Sequence, residues 1–308
     1  MSADRHDAFL FSSDEELLDV LVPFVKDGFG AGEPTLVALS DRRAELVRSA
    51  LPSGLPLEFL PADAYSRPAQ LIRANRGRMA GHVRAGADRI RLVGELPATV
   101  FGATWDSWAR YEAAVNRVYS DFPVWCLCAY DRRTTPPAVL RDVARTHPTV
   151  TGPDGAREPS RAYTEPAAYL SEARPMAADP VQHGRPFAVL TDPAPAEARD
   201  AVRDVDRGEV PEDEVEDLVV AVSETVTNAI RHGRAPVEVR VWPGGDRIVV
   251  TVSDAGPGPA DPFAGLMPPA EQQTSGRGLW ITHQSVNHVT TVRRPGRFTI
   301  RLTAGNPH

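Results

Sequence analysis

Lysine is almost missing from this chain of 308 residues: Lys26 stands alone, so 33 of the 34 basic side chains are arginines. A phosphate loop or a Schiff base that needs a lysine amine could draw only on Lys26. A basic excess is lacking too. The formal net charge is −7, and a surface that binds DNA or RNA normally carries a basic stripe, so no direct nucleic-acid partner is expected. Cysteine is scarce, with only Cys126 and Cys128. Their C-x-C spacing on an expected strand points both to one face, where small buried hydrophobes are commoner than metal or redox sites. No window approaches 18 apolar residues, and the N-terminus has no basic segment followed by an apolar run. The expectation is a cytoplasmic chain with no membrane partner.

What is present reads as globular, with 42% hydrophobic and 24% charged residues over a length that suits two domains. Residues 8–147 alternate strand-like and helix-like blocks. The strands are expected at 8–11 (AFLF), 35–40, 57–60, 89–96 and 124–130, and the helices at 13–28, 41–51, 68–84, 104–122 and 137–147. Ser13 with Glu16 three residues on is a capping-box pattern, followed by an apolar face of Leu17, Leu18, Leu21, Val22 and Val25. Such a βα repeat calls for an α/β domain over 1–147, with a mostly parallel sheet covered by helices. Residues 148–184 are dense in Pro, Gly and Ala and lack sustained periodicity. They read as a linker, docked through Tyr163, Tyr169 and Leu170.

Residues 185–308 change the pattern to strand, helix, long helix, hairpin, short helix and hairpin, an α+β sandwich. The long helix opens with Pro211 and an acidic first turn, and its apolar stripe runs through Val215, Leu218, Val219, Val222, Val226 and Ile230. Glu224, Asn228 and His232 fall on a separate stripe at i, i+4 and i+8. By itself an E-x-x-x-N is most often a solvated face. The segments that follow change the balance. The strand RIVVTVSD ends in Asp254, and Gly256 and Gly258 in the AGPG that follows let backbone approach a flat ligand closely. Further on, Gly276 and Gly278 in SGRGL precede a helix expected at 279–287. Free backbone N–H groups and the helix dipole make that junction an anion site, and Arg277 adds a charge-assisted donor.

In this order E-x-x-x-N-A, D-x-G-x-G and G-x-G-L resemble the N, G1 and G2 boxes of the GHKL ATPases, the gyrase, chaperone and histidine-kinase superfamily. The resemblance implies roles position by position. Asn228 would ligate Mg²⁺ bridging the phosphates of ATP, and Glu224 would orient or deprotonate the attacking hydroxyl. Asp254 would accept from the adenine amino group beside Gly256 and Gly258. Residues 259–275 would form a lid closed over the phosphates by Gly276, Arg277 and Gly278. Thr299 would support the adenine pocket, and His232 would either cap the helix or touch phosphate. None of the eight histidines sits in a phosphoacceptor context, since His147 is followed by Pro148 and His183 by Gly184. The compact form with a short lid therefore looks like the anti-sigma serine kinases. These bind a sigma factor and phosphorylate Ser or Thr of an anti-anti-sigma antagonist, and the sequence leaves a homodimer open. The chain departs from their pattern at Gln273, Thr274 and Ser275, where they carry an Arg. A histidine kinase-like sensor, or an ATP-dependent binding switch without catalysis, are the alternatives.

Residues 6–147 resemble the MEDS sensory domain, a relative of RecA-type ATPases, through FLFSSDEELLDVLVPFVKDGF, LVALSDRRAEL and the ending CAYDRRTTPPAVLRDVARTHP. The turn after its first strand reads SSDEE, where a phosphate loop needs G-x-x-x-x-G-K-[ST]. A working ATPase is not expected there. Glu95, Trp105 and Trp108 near a strand end are candidates to border a small-molecule pocket, with structural roles the commoner alternative.

Overall fold

A computed structural model describes residues 5–60, 67–267 and 276–307. The chain divides into two compact units, Met1–Tyr169 and Leu170–His308.

The first unit runs β1 (Arg5–Phe11), α1 (Asp14–Gly30), β2 (Thr35–Ala38), α2 (Asp41–Ala50), β3 (Leu57–Phe59), α3 (Pro68–Arg84), β4 (Ile90–Glu95), α4 (Trp105–Val118), β5 (Val124–Asp131), α5 (Pro137–Thr146), β6 (Thr149–Thr151) and β7 (Arg157–Pro159). Its sheet has the order β3-β2-β4-β5-β1-β6-β7. Every neighbouring pair is parallel except β6 with β7. Helix α1 starts as the capping pattern implies, with Ser13 Oγ accepting from Glu16 N at 3.0 Å. The reciprocal bond is shifted by one residue, Glu16 Oε2 accepting from Ser12 N at 2.6 Å. Leu17, Leu21, Phe24 and Val25 then bury one face.

The stretch read as a linker from 148 is already structured. β6 and β7 extend the sheet, and Arg157 on β7 makes two bonds, of 2.7 and 2.9 Å, to the fully buried Asp7 on β1. Beyond them α6 (Pro166–Ser171) begins. Tyr169 is buried, donating its hydroxyl to Asp142 of α5 at 2.9 Å, under the guanidinium of Arg145.

The second unit contains a turn of 3-10 helix at Pro180–His183, then β8 (Ala188–Thr191), α7 (Pro195–Val205), α8 (Glu212–His232), β9 (Glu238–Pro243), β10 (Arg247–Asp254), α9 (Arg277–Ser285), β11 (His288–Arg294) and β12 (Arg297–Gly305). The sheet is antiparallel throughout, in the order β11-β12-β10-β9-β8. The fold is therefore α/β in the first unit and an α+β sandwich in the second. Helix α8 buries Val215, Leu218, Val219, Val222 and Val226 against the sheet. Ile230, expected on the same stripe, is 52% exposed, while Ala229 beside it is buried in the core. Among the described residues no helix is long and apolar enough to cross a membrane.

Candidate functional site

In the second unit α8 lies over β10 and β12, and α9 packs beside α8. Antiparallel register decides which side chains face this helical layer. Val252 pairs with Ile300 and Asp254 with Phe298, and all four line a cavity of about 370 Å³ together with Asn228 and Gly258. That volume is within the range of small-molecule sites, roughly 300–1,000 Å³.

Asp254 ends β10 where the C-terminus of α8 comes close. Its Oδ1 accepts from the backbone N–H of Gly256 at 2.6 Å and of Arg234 at 3.2 Å. The carboxylate is thus held in one orientation, and among the described residues no hydrogen bond to Oδ2 is formed. Glycine is required around it. A Cβ on Gly233 would fall 2.5 Å from the carboxylate, and one on Gly256 would fall 2.6 Å from Oδ1. Gly258 has φ +74°, and its Cβ would enter the Phe298 ring at 2.5 Å. Arg293 of β11 fastens this loop, donating to the carbonyls of Pro257 at 3.3 Å and Pro259 at 2.5 Å. The spacing of the boxes did not flag Arg293, Phe298 or Ile300, since their parts follow from strand register.

The phosphate end is built where α9 begins. Gly276 adopts φ +91° and makes no side-chain cap, so among the described residues the first N–H groups of α9 are left for a ligand or solvent. Arg277 is exposed on this first turn. Gly278 sits against the polar stripe of α8. A Cβ there would lie 2.5 Å from Glu224 Oε2 and 3.1 Å from Asn228 Nδ2. Glu224, Asn228 and Gly278 are thereby brought together. Thr282 on the next turn locks α9, donating to Gly278 O at 2.9 Å with its oxygen 3.5 Å from Thr225 of α8. From Glu224 to the Gly233 that touches Asp254 is nine residues of α8, about 13 Å along the axis. His232, the last residue of α8, is exposed at the cavity edge.

One expected member is not there. Thr299 lies between Phe298 and Ile300 and so faces the other side of the sheet, its hydroxyl 2.8 Å from Ser253, the residue opposite it. The stretch 268–275, nearly half of the expected lid and all of Gln273, Thr274 and Ser275, lies outside the described residues. In the first unit Glu95 is bonded to Arg43 and accepts from Ser40 N and Oγ at 3.0 Å each, which ties β4 to the start of α2. Trp105 and Trp108 are buried in the core, and Trp105 Nε1 donates to Asp142 at 2.9 Å.

Comparison with known proteins agrees with this division. Residues 5–148 match the MEDS family, described as the methanogen/methylotroph, DcmR sensory domain. Residues 190–304 match the histidine kinase-like ATPase domain. The chain thus carries a MEDS domain followed by a histidine kinase-like ATPase domain. No curated protein sequence matches it. Among solved structures, the RsbU and RsbW domains of Rv1364c from Mycobacterium tuberculosis are 22% identical over 39% of this chain and 33% of that one, with a TM-score of 0.28. A blue-light activated histidine kinase from Erythrobacter litoralis is 21% identical over 36% and 40%, with a TM-score of 0.25. The histidine kinase domain of the E. coli osmosensor EnvZ is 20% identical over 41% and 92%, again at 0.25. The matches span about a third of the first of these proteins and 40% of the second.

Proposed function

We propose that the second unit binds Mg-ATP in the cavity between α8, β10 and α9. On this reading the chain is an anti-sigma regulator whose ATPase domain phosphorylates Ser or Thr of an anti-anti-sigma antagonist, under the control of its sensory first unit. The observation that supports it is the convergence of Glu224, Asn228 and the uncapped start of α9 at Gly278, with Asp254 anchored at the far end of the same helix. The cavity fits the nucleotide chemically. Its floor is apolar at Val252 and Ile300, one carboxylate faces it, and glycines stand where backbone must come close.

Asp254 recognises the base by accepting from an exocyclic amine. The free N–H groups of α9 and the Arg277 guanidinium face the phosphates. The Asn228 side-chain carbonyl supplies a hard oxygen ligand for Mg²⁺, which neutralises phosphate charge when bound. In the transfer, the substrate hydroxyl oxygen forms a bond to the γ-phosphorus while the bond to the β-phosphate bridging oxygen breaks and ADP leaves. The hydroxyl proton passes to the Glu224 carboxylate.

The test is to incubate the full chain with γ-labelled ATP and candidate antagonist proteins. Acid-stable phosphoserine or phosphothreonine on the antagonist is the expected product. Acid-labile phosphohistidine on this chain would overturn the reading in favour of a histidine kinase.

A further inference from the structure

A second cluster of reactive side chains lies in the first unit, away from any role given above. His6 of β1, Glu112 of α4, Cys128 of β5 and His147, which caps the end of α5, bring one donor atom each to a common point, all within 4.8 Å of one another. His6, Glu112 and His147 are buried, and Cys128 is half-buried.

The hydrogen bonds around the cluster determine which atoms face it. Asn116 donates its Nδ2 to the carbonyl of Thr146 at 2.8 Å and to that of Ala113 at 3.2 Å. Its Oδ1 therefore faces His6 Nδ1, 3.2 Å away, and that ring nitrogen must be the one carrying hydrogen. His147 Nδ1 lies 2.9 Å from the carbonyl of Val143, an oxygen that can only accept. Both imidazoles thus turn the lone pair of Nε2 inward. Tyr130 donates to Glu112 Oε1 at 2.9 Å and leaves Oε2 facing the same point. The result sets acceptor against acceptor. His6 Nε2 is 3.3 Å from Glu112 Oε2, and His147 Nε2, wholly buried and without a hydrogen-bond partner, is 3.4 Å from it.

We propose that His6, Glu112, Cys128 and His147 form a site for a divalent transition cation, zinc being the best chemical match. Two imidazole nitrogens, a thiolate and a carboxylate make a donor set of borderline softness that suits zinc. Four of the six donor–donor spacings come close to those of a tetrahedron. Bonds of about 2.0–2.3 Å imply donor–donor edges of about 3.3–3.7 Å. Besides the two edges to Glu112 given above, Cys128 Sγ is 3.4 Å from His6 Nε2 and 3.9 Å from Glu112 Oε2. The outer bonds from Nδ1 to carbonyl oxygens, and from Tyr130 to the carboxylate, orient the ligands as a metal site requires. A bound cation would take the Cys128 side chain directly as the thiolate. A cavity of about 30 Å³, lined by Glu112, Cys128 and Tyr130 among others, adjoins the cluster. It has room for about one water-sized ligand beside Glu112 and Cys128.

The test uses the full chain, stripped of metal and kept free of nucleotide, and titrated with Co²⁺ as a coloured stand-in for zinc. The expected result is one equivalent bound with intense tetrahedral d–d bands and a thiolate-to-cobalt charge-transfer band, all bleached by added Zn²⁺. Cys128→Ser should abolish the charge-transfer band, and His147→Gln should weaken binding by about tenfold or more. Cys126→Ser should keep the band, and Asn228→Ala should keep the full equivalent, which separates this site from the nucleotide site. Failure of the wild-type chain to take up cobalt, or uptake unchanged in both Cys128→Ser and His147→Gln, would overturn the proposal. Where circular dichroism finds those two variants unfolded, the wild-type and Cys126→Ser spectra decide: a thiolate band supports the site and its absence overturns it.

Discussion

Two helix N-termini in this molecule have opposite electrostatic character. Each follows a turn and each presents unsatisfied backbone N–H groups and the positive end of a helix dipole. At α1 the side chains consume that potential. Ser13 takes the N–H of Glu16, Glu16 takes that of Ser12, and Asp14, Glu15 and Glu16 crowd the first turn with negative charge. At α9 no described side chain consumes it, since Gly276 makes the turn at positive φ and offers no cap, and the first turn holds no acid. The difference teaches that a helix start becomes an anion site by what its side chains leave undone. In the first unit the same logic closes the turn after β1, the place where a phosphate loop would stand.

Four substitutions test that contrast. Glu224→Gln removes the proton acceptor beside Gly278 and keeps its shape. Phosphoryl transfer should fall by roughly 10²–10⁴ while nucleotide affinity, read by calorimetry, stays close to wild type; unchanged transfer would remove Glu224 as the proton acceptor, and partner control kept without any transfer would favour a binding switch. Gly278→Asp gives α9 the acidic start of α1 and places a second carboxylate against Glu224. The loss of charge-assisted bonds of about 1.5–3 kcal/mol corresponds to roughly 10–100-fold weaker ATP binding, and retained affinity would show that the start of α9 does not hold phosphate. Asn228→Ala should weaken the Mg²⁺-dependent part of nucleotide binding by about tenfold; equal affinities with and without Mg²⁺ in both proteins would remove Asn228 as a ligand. The smallest effect is expected for Ser13→Ala, a loss of about 1 kcal/mol in chemical denaturation with no gain of nucleotide binding in the first unit.

Much of the fold was legible because its signals are local. The period of α8, the acidic start of that helix and the alternation of β10 are written within single segments, and the observed α3 and β10 coincide with the expected blocks. The short strands β6 and β7 were not legible. Three residues each cannot display an alternation, and it is Arg157 reaching Asp7 across 150 positions that seats them. The candidate nucleotide site was legible in the order of its boxes, which named Glu224, Asn228, Asp254 and the glycines now found together. Thr299 was misplaced by one step of a strand, because the face a strand residue takes depends on its pairing with β10.

The Cys126 and Cys128 pair shows the same limit from the other side. Read alone, C-x-C on a strand is two small hydrophobes, and Cys126 remains one of the buried core residues. Cys128 acquires its neighbours from β1, α4 and the end of α5, with His6 lying 122 positions away. Sequence by itself determined the two-part α/β and α+β organisation, the acidic cap that closes the start of α1 and the glycines that open α9, since turns, caps and periodicity are properties of neighbouring residues. Only the tertiary structure decided that Phe298 and Ile300 rather than Thr299 face the cavity, and that His6, Glu112, Cys128 and His147 share one point. Strand register and helix docking are set by contacts between distant segments, and no spacing within one segment encodes them.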